Sequence, residues 1–153
     1  MRVCHIFLST GHSYFGNYGK PASVQPIVEV AEVECVTGQG LRGDRFYGYR
    51  PDYKGQVSFF AAEIFEAVRH EFKVPELSPA AFRRNLITEG VDLNTLIGEK
   101  FTLQGVQFQG MEECRPCHWM EQAVAPGAED WLKGRGGLRC RILSTGMLRT
   151  DVP

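Results

Sequence analysis

The chain has 153 residues, 43% of them hydrophobic and 23% charged. It can therefore bury a core of its own and is not a disordered segment. Basic and acidic side chains nearly cancel, to a net charge of −1, which excludes a global positive field for nucleic acid or anionic lipid.

The length fits one domain over residues 1–153, and apolar runs such as residues 57–64 are too short to span a bilayer. No small-residue cleavage site follows the first apolar patch, so the expectation is a cytoplasmic protein without a signal peptide. Residues 3–8 read as a strand leading into a loop over 9–25. Residues 27–37 alternate valine, isoleucine and cysteine with glutamate, which predicts a second strand ending in the glycine-rich turn 38–45. Gly38, Gly40 and Gly43 match a dinucleotide-binding pattern by letter, but turn residues and tyrosines follow where a helix is required. Ser58 is expected to cap a helix carrying Ala61, Ile64, Phe65, Val68 and Phe72 at helical spacing, ending before Pro75. Ser78 and Pro79 begin a short helix through Arg83, and residues 85–88 form a short strand turned by 90–93. Residues 100–103 and 106–109 flank Gln104-Gly105 as a hairpin. A helix over 125–133 and strands over 138–143 and 147–150 complete the order β-β-α-α-β-β-β-α-β-β. Short strands between glycine turns, with no βαβ unit evident, predict a mainly β fold with peripheral helices (α+β). The sheet is expected to be curved, mostly antiparallel and barrel-like.

Five cysteines, an odd number in a chain that needs no staples, argue for reduced thiols. Cys4, Cys35 and Cys140 sit in alternating or apolar runs and read as small core residues. Cys114-Arg115-Pro116-Cys117 differs, because it lies in a polar stretch followed by His118 and Trp119. Pro116 lacks an amide proton and drives Arg115 towards extended geometry, which puts Cys117 on a loop with cationic neighbours. Three chemistries fit: a redox dithiol, a zinc site completed by His118 and Cys140, or one thiolate serving as a soft metal ligand or sulfur carrier. Spacing does not choose among them.

The arginines supply a second constellation. Gly43-Asp44-Arg45 lies in a turn where backbone can approach a ligand, and Arg83-Arg84-Asn85 sits at a helix-to-strand junction. Arg forks suit phosphate or carboxylate, while Asn offers a donor and an acceptor to a heterocycle edge. A convergent anion pocket using Asp44, Arg45, Arg84 and Asn85, with Cys117 at the same rim, is therefore expected. His5, His12 and His70 carry no motif.

Taken in order, Gly43-Asp44-Arg45, Gln56-Val57-Ser58, Arg84-Asn85-Leu86, Gly90-Val91-Asp92-Leu93, Phe101-Thr102-Leu103, Pro116-Cys117 and Gly136-Gly137-Leu138-Arg139 resemble a family. The chain is similar to a stand-alone MOSC domain over about residues 38–149, the module found in molybdenum cofactor sulfurases and amidoxime-reducing enzymes. The resemblance implies a cytosolic protein that handles the molybdenum cofactor in its molybdopterin form. Cys117 matches the family cysteine, which carries sulfur as a persulfide or ligates molybdenum; Arg45, Arg84 and Asn85 match its pterin-phosphate site. Cys114 matches no general family feature. The chain is too short to include a pyridoxal-phosphate desulfurase or flavin and haem modules, so a separate cysteine desulfurase or electron-donor reductase is implied. A client molybdoenzyme is a further implied partner, whereas nucleic acid and membrane are not. The other activity the resemblance implies is molybdenum-dependent reduction of N-hydroxylated compounds.

Overall fold

The computed structural model describes residues 1–11 and 26–151; most of the expected loop over 9–25, with His12, lies outside the described residues. Strand β1 (Arg2–Ser9) is followed by β2 (Ile27–Val30), β3 (Glu32–Val36), β4 (Gly40–Leu41) and β5 (Val57–Ala61). Helix α1 (Ala62–Glu71), a 3-10 turn (Pro79–Phe82), β6 (Leu86–Glu89) and a second 3-10 turn (Leu93–Leu96) come next. The chain continues through β7 (Lys100–Leu103), β8 (Val106–Glu113), α2 (Trp119–Ala123), α3 (Ala128–Trp131), β9 (Leu138–Ile142) and β10 (Gly146–Arg149).

Seven strands form one sheet in the order β2-β1-β6-β5-β9-β8-β7, and three form a smaller sheet, β10-β3-β4. The fold is mainly β with helices outside, as expected, and β5–β6 is the parallel pairing among antiparallel neighbours. The sheet is not a closed barrel, because β2 and β7 remain its two edges. The predicted single strand over 27–37 explains the opening. Its alternation slips phase at Ala31, between Val28 and Val30 on one side and Val33 and Cys35 on the other. A one-residue slip reverses the faces, so β2 stays with β1 while β3 leaves to pair with β10 and β4.

Both faces of the large sheet are covered, which is why adjacent residues on central strands are buried alike. Ile6, Phe59, Leu86, Phe108, Leu138 and Ile142 pack towards the small sheet with Val33, Cys35 and Leu148. Phe7, Phe60 and Ile87 face the other way, under Phe65, Val68, Phe82, Met120 and Leu132. Phe60 and Phe82 stack at 4.4 Å between ring centroids.

The Ser58 cap is a correction. Val57–Ala61 is a central strand paired on both sides, with β6 and β9, and the helix begins at Ala62 without a side-chain cap. Apart from Ser58 this strand is apolar, and so short an apolar run cannot be told from the first turn of a helix by periodicity. β5, α1 and β6 consequently form a βαβ crossover, contrary to the expectation that none is present. The predicted 125–133 helix is shortened to α3, which starts after Gly127 at φ +91°. Among the described residues no helix is long and apolar enough to cross a membrane.

Candidate functional site

The site is assembled at the ends of β1, β5 and β6. Asn85, just before β6, is buried and its amide is fully committed. Its Oδ1 accepts from Ser58 N at 3.0 Å and Ser58 Oγ at 3.2 Å; its Nδ2 donates to Phe7 O and Asp44 Oδ1, both at 3.2 Å. Asp44 is buried too. Its Oδ1 also accepts from Ser9 N at 3.1 Å, and its Oδ2 accepts from Phe46 N at 3.3 Å. These two residues therefore brace the turn carrying Arg45 against three strand ends. Among the described residues their side-chain polar atoms are bonded to protein groups, and neither residue lines the cleft that the arginines form.

The arginines face the other way. Arg84 is buried and donates from Nε to Gly136 O at 3.0 Å, Nη1 to Phe82 O at 3.1 Å and Nη2 to Cys114 O at 3.1 Å. It thereby ties the cysteine loop to β6 while keeping its positive charge among carbonyls. Arg83 adopts the left-handed conformation at φ +55°, which turns its side chain towards Ser9 Oγ and Gly11 O, each at 2.9 Å. Arg45 Nη2 donates to Arg83 O at 3.3 Å, and its buried Nε has no hydrogen-bond partner among the described residues. Burial holds the Arg45 guanidinium below its ordinary value; Asp44 opposes this and the Arg84 charge adds to it. Burial, and then Arg45, act in the same direction on Arg83. Both remain cationic at neutral pH.

The cysteine loop closes the opposite wall. Cys114 is buried, with its N donating to Gly137 O at 2.8 Å, whereas Cys117 is exposed and its carbonyl accepts from Met120 N at 3.0 Å to start α2. Gly136 is required here, because a Cβ on it would lie 2.3 Å from Cys114 O and 2.9 Å from Pro116 Cδ. Arg139 lines the same cleft as Cys114, with its Nη1 3.6 Å from Glu112 Oε1. Burial works against its charge, but Cys114, Tyr53 and Glu112 outweigh it and raise its pKa.

Arg45, Arg83, Arg84, Arg115 and Arg139 line one cleft of about 380 Å³ together with Cys114 and Cys117, and among the described residues no carboxylate lines it. The structure thus brings Cys117, Arg45 and Arg84 together and leaves Asp44 and Asn85 behind them. Phe46, Tyr49, Tyr53 and Trp119 supply aromatic faces to the same lining. The sequence pattern assigns no site role to these aromatics, and Arg139 enters it only as the end of the motif Gly136-Gly137-Leu138-Arg139. Arg139 was legible as the outward position between Leu138 and Cys140, both fully buried in β9. The zinc alternative is not supported: Cys140 is buried in β9, and no cluster of three or more His, Cys, Asp or Glu able to hold a metal occurs among the described residues.

YuaD protein from Bacillus subtilis superposes with a TM-score of 0.73 at 16% identity, covering 97% of this chain and 91% of that one. YiiM from Escherichia coli gives 0.67 at 21% identity, covering 100% and 68%, and YiiM from Geobacillus stearothermophilus gives 0.69 at 17%, covering 99% and 72%. A search of the curated proteins finds no match. The MOSC domain model matches residues 39–152, from the glycine turn through the arginine junction and cysteine loop to the last strand, and the chain belongs to the MOSC domain family.

Proposed function

We propose that the arginine cleft binds the molybdenum cofactor and that Cys117 is its working thiol, carrying sulfur as a persulfide for cofactor sulfuration or delivery, or ligating molybdenum. The family is linked to molybdenum cofactor binding in general. The observation that carries the reading is a cleft with five arginines, no lining carboxylate and one exposed cysteine. The residues fit the group: a buried Arg45 Nε has no hydrogen-bond partner among the described residues, and a phosphate oxygen would satisfy it. Arg45 and Arg83 would hold the phosphate, Arg84 would add field while fixing the loop, and Cys117 would offer a soft donor to the metal. Bound there, the cofactor would supply a thiophilic metal for sulfur or oxygen exchange. Asp44 and Asn85 act as braces that keep Arg45 aimed into the cleft. Sulfur would come from a separate cysteine desulfurase; a reductase supplying electrons is the donor in the oxygen-removing alternative.

The test is to purify the chain from cells that make the cofactor and assay molybdenum and pterin. Both are expected in the wild type, and Arg45→Gln should weaken retention about tenfold to a hundredfold, the cost of one charge-assisted contact. Absence of both, even after loading with free cofactor, would overturn the reading.

A further inference from the structure

The cleft holds a second sulfur that cofactor binding does not use. Cys114 and Cys117 line the same cavity but are held differently. Cys114 is fixed: it is buried, bonded through its N to Gly137 and through its O to Arg84. Cys117 is exposed, next to the short helix α2, and neither cysteine is in a disulfide. An exposed thiol open to reagents and a buried, fixed thiol that line one arginine-rich cleft are an arrangement for two successive thiol steps.

We propose that Cys114 is the resolving thiol of Cys117, attacking the Cys117 sulfur when that atom carries a leaving group and expelling the group into the arginine cleft. The inference rests on the reading of Cys117 as a sulfur carrier. For a persulfide, the Cys114 thiolate attacks Cys117 Sγ and forms an S–S bond. The bond from Cys117 Sγ to its outer sulfur breaks, and that sulfur leaves as hydrosulfide with the electron pair, so atoms and charge balance. The outer sulfur is reduced to sulfide and the two cysteines are oxidised to a disulfide, which an external dithiol reductant returns to thiols. Arg45, Arg83, Arg84 and Arg139, which line the cleft with both cysteines, provide the field that receives the anion.

The experiment uses the full chain and Ellman's disulfide, whose aryl thiolate is a coloured anion. In the wild type the adduct on Cys117 should release a second aryl thiolate at a rate independent of reagent concentration. The product should be two hydrogens lighter than the reduced chain, with the bond mapped to Cys114 and Cys117. Cys114→Ser should stop after one release and keep the adduct; Cys114→Ala gives the same reading if the serine variant folds poorly. In a second arm, polysulfide-treated wild type should release sulfide without added thiol, and Cys114→Ser should hold its persulfide until thiol is supplied. A wild type that keeps its Ellman adduct, or a Cys114→Ser chain that releases sulfide at the wild-type rate, overturns the proposal. The Ellman arm needs no cofactor. A chain that resolves its adduct but retains no molybdenum or pterin refutes the cofactor reading alone, and the converse result refutes the resolving thiol alone.

Discussion

Replacing Asn85 by Ala separates a brace from a ligand-reading residue. The substitution strips Ser58 N of its acceptor at 3.0 Å and Phe7 O of a donor at 3.2 Å, and removes one of the donors to the buried Asp44 Oδ1. Each buried polar group left unsatisfied costs about 1–3 kcal/mol, so two such groups and a weakened third give about 4 kcal/mol. That is a large share of the roughly 5–15 kcal/mol available to a domain. At this chain length it lowers the melting temperature by about 10 °C. Urea unfolding of the wild type and Asn85→Ala measures the loss, and molybdenum and pterin retention is measured on both well below the transition. Large destabilisation with near-normal retention of the folded fraction is expected, because the Asn85 amide does not line the cleft. A loss under about 1 kcal/mol with retention abolished would refute the reasoning and return Asn85 to the ligand.

Cys117→Ser should abolish both sulfur uptake and metal ligation, since a hydroxyl is not a soft thiolate donor, whereas Cys114→Ser should leave sulfur uptake on Cys117 largely intact; intact mass after persulfide loading and metal analysis read the two. Gly136→Ala places a Cβ 2.3 Å from Cys114 O, so the cysteine loop must shift. It should cost about 3 kcal/mol in urea unfolding and lower molybdenum retention together with it. Burial pushes the Cys35 thiol from its ordinary 9.0 to about 12, and burial, then Cys114, push up Cys140 as well. The folded state keeps these protons where the unfolded chain loses them. Stability from this source is therefore complete below about pH 9 and declines as pH rises towards 12. The slope is about 1.4 kcal/mol per pH unit for each thiol, and Cys35→Val should flatten its share in pH-dependent unfolding.

Local pattern by itself determined much of this protein. The hairpin around Gln104-Gly105 and the strands at residues 3–8 and 138–142 were legible because apolar alternation and turn residues act over a few positions. The ordered motifs also carried the family, which the match over residues 39–152 establishes. Tertiary structure alone decided what depends on neighbours distant in sequence. Whether 57–61 is strand or helix rests on pairing with 86–88 and 138–140. Whether Asn85 faces a ligand or the interior rests on Phe7, Asp44 and Ser58, and no window around Asn85 contains them. The same holds for the cleft. Arg45, Arg84 and Arg139 are solvated charges when read one at a time, and they become a single field because β5 pairs with both β6 and β9. Hydrophobic periodicity reports which side of an element is buried; it carries no information about which other element does the burying.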